Sequence, residues 1–257
     1  MKQVDNLQVH LYETRQQMGE AAAAMAADRI RLLLQEKETL NIVFAAAPSQ
    51  QEFLEALAAD ASIEWERINA FHMDEYIGLE ATAPQGFGNF LRERIFSKVP
   101  FRSVHYLNGN APDIQQECER YATLLRKGVD IVNMGIGENT HIAFNDPHVA
   151  DFSDPQLVKV VDLDYACRQQ QVNDGCFETF AQVPTHALTL TVPALMQASY
   201  VFCMVPGPNK AAAVKHTLFD GISEKYPSTV LRRHPRAVLF VDKDSAAQSF
   251  DRLALLS

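Results

Sequence analysis

Three short stretches place residues of catalytic type directly after apolar runs. The densest is GIGENTHIAFNDP, residues 135–147, which follows the apolar run VDIVNM. His141 is the only side chain there whose charge changes near neutral pH. Asp146, five residues on, can orient an imidazole and stabilise its protonated form. Gly135 and Gly137 permit a tight turn or a close backbone approach to a ligand. Read without chemistry, the same residues are a polar loop leaving a buried strand, with a core histidine bonded to a backbone carbonyl.

The second stretch is FHMDEYIGL, residues 71–79. Asp74 and Glu75 follow the apolar run RINAFHM, so one carboxylate can project into a cleft, or one can simply cap the next turn. The third is VPGPNKAAAVKH, residues 205–216. Pro208 suits the first position of a helix and Gly207 the residue before it. Lys210 then falls in the first turn, where a cation opposes the positive end of the helix dipole unless an anion is near. A helix start with a lysine makes a phosphate cradle; an exposed lysine tolerated at small cost is the alternative.

These stretches must be positioned by the elements around them. MGEAAAAMAADRIRLLLQEK carries apolar residues at Met18, Ala22, Ala26, Ile30 and Leu33, a helical stripe, with helix-favouring alanine, leucine and glutamine. NIVFAAA, RINAFHM, VDIVNMG, HALTLTV, SYVFCMV and AVLFVD are short apolar runs rich in β-branched or aromatic residues. Helical segments such as QQEFLEALAAD, PDIQQECERYATLLRKG and PNKAAAVKHTLF lie between several of them. This alternation predicts an α/β fold, Rossmann-like and layered, with a mainly parallel central sheet covered on both faces. Ligands bind such sheets beyond the carboxyl ends of the strands, which is where the three stretches lie.

Length and composition narrow the class. With 257 residues, 47% hydrophobic and 21% charged, the chain is expected to form one soluble domain over residues 1–257. A formal net charge of −9 argues against broad nucleic-acid binding. No segment approaches a signal peptide or a membrane span. The four cysteines, Cys118, Cys167, Cys176 and Cys203, show no metal-binding spacing, so reduced thiols and a cytoplasmic location are expected.

In this order the motifs resemble the glucosamine-6-phosphate deaminase (isomerase) family. FHMDEYIGL matches its M-D-E-Y-x-G-L, and GIGENTHIAFNDP its G-x-G-x-D-G-H-I-A-F-N-E-P; LNGNAPD at 107–113, VPTHALTLTV, GPNKA and LRRHPRAVLFVD continue the match. The resemblance runs from about residue 8 to 245. The related phosphogluconolactonases carry H-T-A-S-L-F-P after the glycine turn, which is missing here. The resemblance implies a Rossmann-like fold and a reaction with neither metal nor organic cofactor. An amino-sugar phosphate ring opens, the carbonyl shifts from C1 to C2, and ammonia leaves to give fructose 6-phosphate. It implies His141 as the ring-opening proton carrier, Asp146 as the residue that steers it, and Asp74 as the base that moves a proton from C2 to C1. Glu75 supports the loop. Ser49, Gly137, Lys210 and Arg168 are the residues expected at the substrate and its phosphate. A homo-oligomer is left open.

The departures define what to examine. Asn139 stands where the family has an aspartate, Thr140 where it has a glycine, and Asp146 where it has a glutamate. Asparagine can hold an imidazole but supplies no charge, so support for the imidazolium is expected to be thin and ring opening slow. The family's phosphate loop P-[ST]-G-G-[ST]-P is AAAPSQ here, residues 45–50, and Pro48 has no N–H to donate. A family arginine aligns with Gln171, and Arg168, one helical turn earlier, is the expected substitute. Two other readings stand beside the deaminase: another sugar-phosphate isomerase or a lactonase on the same fold, and a non-catalytic sugar-phosphate sensor.

Overall fold

The computed structural model describes residues 1–255. Its strands are β1 (Lys2–Val4), β2 (Leu7–Tyr12), β3 (Leu40–Phe44), β4 (Ile68–His72), β5 (Asp74–Tyr76), β6 (Ser103–His105), β7 (Ile131–Met134), β8 (Val158–Asp162), β9 (His186–Leu190), β10 (Tyr200–Val205) and β11 (Ala237–Asp242). The helices are α1 (Arg15–Glu36), α2 (Gln51–Ala58), α3 (Phe87–Leu91), α4 (Ile114–Leu125), α5 (Tyr165–Asn173), α6 (Val192–Met196), α7 (Ala211–Phe219) and α8 (Phe250–Ala254). Eight strands form the main sheet in the order β1-β2-β11-β10-β7-β3-β4-β6, parallel throughout except for the β1–β2 hairpin. No helix among the described residues is long and apolar enough to cross a membrane.

Both faces of this sheet are covered, which is why its strands read as apolar runs rather than alternating ones. On one face Ile42 and Phe44 of β3 pack with Met18, Ala22, Ala26 and Ile30 of α1 and with Phe53, Leu54 and Leu57 of α2. On the other, Val43 and Val132 pack with Tyr121 and Leu125 of α4 and Val214 and Leu218 of α7. The α1 stripe continues through buried Leu34; Leu33 is only half-buried. Thr14 caps α1 by accepting the Gln17 N–H, and Asp113 caps α4 by accepting that of Gln116.

The structure departs from the sequence reading in one region that matters for function. HALTLTV forms β9 outside the main sheet, between β5 and β8 in a separate three-stranded antiparallel sheet. The D-E-Y of that motif is therefore itself a strand, β5, with Asp74 opposite Thr189. One residue, Met73, separates β4 from β5, so the chain leaves the main sheet and enters the small one within a single step. Apolar periodicity does not distinguish the two sheets, because β9 is buried at nearly every position, as the central strands of the main sheet are.

The LNGNAPD stretch holds this junction. His72 is fully buried. Its Nδ1 lies 2.8 Å from the Asp74 carbonyl, and its Nε2 accepts the Leu107 N–H at 3.0 Å. That pairing fixes Nδ1 as the protonated nitrogen. Burial pushes the imidazole down to about 4, so it stays neutral. Gly109 lies against the turn after β5, its carbonyl accepting the Gly78 N–H at 3.2 Å. A Cβ on Gly109 would stand 1.8 Å from the Tyr76 carbonyl oxygen. Gly109→Ala is thus expected to overpack the junction by about 2 kcal/mol, a drop in melting temperature of about 4 °C or more by calorimetry. An unchanged melting temperature would mean that 107–110 is free to move away from β5.

Candidate active site

The main sheet has its switch point between β3 and β7, from which later strands are added in opposite directions. Loops leaving the carboxyl ends of these two strands diverge and open a crevice. A cavity of about 620 Å³ lies there, lined by residues that follow β3, β4, β7 and β10. Asp74, His141, Gly137, Ser49 and Lys210, named above from the sequence, all line it.

His141 is held from behind. Its Nδ1 lies 2.7 Å from Asn139 Oδ1 and 3.1 Å from Asp146 Oδ1. The Asn139 amide is oriented by its surroundings: Oδ1 also accepts the His141 backbone N–H at 3.1 Å, while Nδ2 donates to Asp146 Oδ1 at 3.0 Å and to Asp164 Oδ2 at 3.4 Å. With two acceptors facing Nδ1, the proton sits on that nitrogen and Nε2 is the one left for the cavity. Burial alone would push the fully buried Asp146 carboxyl up; hydrogen bonding and charge from His141, and the Asn139 amide, outweigh it and hold the group ionised below its ordinary range. The negative charge behind the imidazole, expected to be thin, is supplied by Asp146 despite its short side chain. Asn139 acts as the hydrogen-bonded spacer between them.

Backbone geometry brings these groups together. Thr140 has φ 71° and Ala143 φ 49°, both in the left-handed region that glycine adopts freely and a β-branched residue adopts at a cost. The glycine of the related loop pattern marks this same position. Thr140 is retained by its neighbours: Ser228 N–H donates to its carbonyl at 2.9 Å, and its hydroxyl donates to Asn139 O at 2.5 Å. Asn145 ties the loop to β9 by donating to Leu190 O, and Thr189 Oγ1 accepts the Phe144 N–H. Gly137 lies so close under the imidazole that a Cβ would stand 2.1 Å from a ring carbon.

Asp74 and Glu75 face opposite ways, as neighbours in a strand must. Glu75 turns from the cavity and accepts the N–H groups of Tyr76, Phe87 and Gly88 at 2.9, 3.1 and 2.9 Å, tying β5 to the start of α3. Asp74 is buried on the cavity wall, and no side-chain or backbone donor among the described residues reaches its carboxylate. Burial, and secondarily the charge of Glu75, push its carboxyl well above the ordinary aspartate range. This is the environment of a carboxylate whose protonated form is favoured, which makes it a stronger base when ionised.

At the far end, Gly207 has φ 92° and Pro208 opens a 3₁₀ turn, Pro208–Lys210, that leads into α7. Lys210 is buried at the cavity wall rather than exposed. Burial pulls its ammonium below the usual lysine range, while the charges of Asp174 and Glu138 pull the other way. Arg168 is not brought to the cavity. Its guanidinium donates to the carbonyls of Phe180 and Val183 at 3.1 and 2.8 Å and stacks 4.1 Å from the Phe180 ring centre. Gln170 and Gln171 of the same helix line the cavity instead. Within AAAPSQ, Gln50 is buried and donates to Met204 O and Ser49 Oγ, packing the underside of the loop.

His141, Asp146 and Cys167 bring three possible metal ligands within 4.8 Å, as do Asp146, His148 and Asp164. In the first cluster the imidazole is already shared between Asn139 and Asp146 at hydrogen-bond distance, the arrangement of a proton carrier. The sequence reading missed Arg15 and Arg94, which also line the cavity. Arg15 follows β2, whose alternating sequence is not an apolar run, and Arg94 lies within a helical segment, so the strand-end rule passes over both.

Comparison with known proteins agrees with this geometry. A model of the family described as "Glucosamine-6-phosphate isomerases/6-phosphogluconolactonase" matches residues 13–240. The chain is 34% identical over 193 residues to a glucosamine-6-phosphate deaminase of Exiguobacterium sp., covering 75% of this chain and 74% of the relative. It is 30% identical over 249 residues to one of Bacillus cereus, covering 96% and 91%. Among solved structures, a monomeric glucosamine-6-phosphate deaminase superposes with a TM-score of 0.85 at 27% identity, covering 94% of this chain and 99% of that one. A 6-phosphogluconolactonase of Thermotoga maritima, 24% identical with a TM-score of 0.74 over 92% of this chain and all of that one, shares the fold.

Proposed function

The chain belongs to the glucosamine-6-phosphate isomerase/6-phosphogluconolactonase family, and from that premise we propose that it is an amino-sugar phosphate deaminase. Its substrate is glucosamine 6-phosphate, converted with one water to fructose 6-phosphate and ammonia, or a close relative converted in the same way to its own ketose phosphate and ammonia. The observation that carries the reading is the pairing of two proton carriers on one cavity. His141 is anchored at Nδ1 with Nε2 available, and Asp74 is buried with no donor of its own.

The division of labour follows from these environments. Nε2 of His141 exchanges a proton with the ring oxygen as the pyranose opens, and Asp146 stabilises the imidazolium while it lasts. Asp74 then removes the proton on C2 and returns it to C1, which moves the carbonyl character to C2. Water adds there and ammonia leaves. Lys210 and Ser49 hold the phosphate end. A lactonase needs no base at C2, so the placement of Asp74 favours the isomerase reading. Reduced thiols accord with a cytoplasmic setting: all four cysteines are free, and burial pushes Cys118 up to about 11.

Incubation of the pure protein with glucosamine 6-phosphate or its galactosamine epimer should release ammonia and ketose phosphate in equal amounts, with exchange at C2 in deuterated water. Absence of product from both sugars overturns the reading.

Asp74→Asn is expected to abolish turnover while retaining ligand binding, and to raise stability at the same time. The folded-state carboxyl is raised above its unfolded value, so the wild type is favoured when Asp74 is protonated and loses that contribution as pH rises through the folded value. The melting-temperature advantage of Asp74→Asn should therefore be larger at pH 8 than at pH 5. Wild-type turnover should in turn fall on the acid side as Asp74 becomes protonated.

Asn139→Asp restores the family's acid but should slow the enzyme. It replaces a donor to Asp146 and Asp164 with a third carboxylate, and like charges about 3 Å apart resist joint ionisation. Loss of a hydrogen bond to a charged group corresponds to a fall in kcat of about tenfold or more. An increase in kcat would show that Asn139 is not a spacer but a defect.

A further inference from the structure

Three cationic side chains line the cavity, Arg15, Arg94 and Lys210, and they are not equally free. Arg15 is tied to Glu52 at 2.6 and 2.9 Å and gives another N–H to Pro48 O at 3.0 Å, holding the AAAPSQ loop to α1. Lys210 shares its corner with the acidic Asp174 and Glu138. Arg94 is different. Among the described residues its single ion pair is a 3.3 Å contact to Glu93, its neighbour in the chain, whose side chain is 77% exposed. The guanidinium lies 3.8 Å from the centre of the Phe90 ring. Such stacking fixes the plane of the group and leaves its N–H edge free to grip an oxyanion.

The backbone explains how Arg94 faces the cavity. Arg92–Phe96 is a π-helical turn, closed by Ser97 N–H donating to Arg92 O at 3.1 Å. A π turn takes one more residue than an α turn and shifts the side chains that follow, a feature concentrated at functional sites. Here Leu91, Ile95 and Phe96 remain buried while Arg94 lines the cavity. Arg94 acts electrostatically on Cys176, which lines the same cavity from the segment after α5. Gln170 and Gln171, which present neutral amides, line the same cavity, and Arg168 is withdrawn from it.

We propose that Arg94 is the guanidinium that binds the phosphate of the substrate, supplying from the α3 side of the cavity the planar two-point grip that neither α5 nor the AAAPSQ loop provides. This rests on the amino-sugar phosphate reading above. The group recognised is a phosphate monoester on a sugar carbon, with Lys210 as the second cation and Glu93 as an opposing charge that disfavours it.

The test uses glucitol 6-phosphate and glucitol, open-chain polyols that cannot isomerise, with binding measured by calorimetry on the full-length protein. Arg94→Gln should weaken glucitol 6-phosphate by about 10–100-fold and leave glucitol unchanged. Arg94→Lys, which keeps the charge but loses the planar fork, should fall between. Glu93→Gln should tighten glucitol 6-phosphate. With glucosamine 6-phosphate, Arg94→Gln should raise KM and keep kcat within about twofold, the signature of lost uniform binding. Equal affinity of wild type and Arg94→Gln for glucitol 6-phosphate, or no binding of it by the wild type, overturns the proposal. Failure of the deaminase reading is a separate result: no ammonia from either epimer, whatever the polyol affinities show.

Discussion

The proton on His141 Nδ1 is held between two oxygens that are themselves held, and the arrangement of the crevice depends on it. Asn139 Oδ1 and Asp146 Oδ1 both face that nitrogen. Asn139 cannot rotate without breaking its bonds to Asp146 and Asp164, and Asp146 has no exposure to water. The tautomer is fixed before any substrate arrives, which is the preorganisation that proton transfer needs. Two left-handed residues, Thr140 and Ala143, are the cost of folding thirteen residues tightly enough to do this, and contacts from Ser228 and Thr189 offset it.

A second constraint is complementary. The imidazole is surrounded by partners, whereas the Asp74 carboxylate has no donor within reach among the described residues. A largely buried carboxylate without hydrogen-bond donors prefers its neutral form, and Asp74 is therefore poised to accept a proton rather than to hold a charge. The small sheet makes this isolation possible. By pairing with β9, β5 sends Asp74 to the cavity and Glu75 to the opposite side, where three backbone N–H groups satisfy it. His72 and Gly109 lock the one-residue step between the sheets, so the base is set by rigid backbone.

On the proposed reading, anion recognition is redistributed relative to the family pattern. The β3 loop is packed from below by Gln50 and tethered by Arg15, and Pro48 removes an N–H from it. The cavity instead receives side-chain cations from other elements. Lys210 is placed by Gly207, whose positive φ glycine adopts freely, and the 3₁₀ turn that follows it, and Arg94 by a π turn. Both placements depend on backbone irregularity, in keeping with the tendency of functional residues to sit where regular structure is broken.

Much of this was legible in the sequence. Apolar runs alternating with amphipathic segments determine a parallel sheet covered on both faces, because only strands buried on both sides are apolar at every position. Glycines and acids after those runs mark the crevice, and Asp74, His141, Gly137, Ser49 and Lys210 all reach it. What the tertiary structure alone decided is which partner each charged group finds. Arg168 lay at the right spacing and was taken by the Phe180 and Val183 carbonyls, while Asp146, one methylene short of the family's glutamate, still reaches the imidazole. Arg94 carried no signal, because an extra residue in a helical turn breaks the very periodicity by which a face is read. Spacing along a chain fixes which side chains share a face; hydrogen bonds from elsewhere in the fold decide what those side chains do.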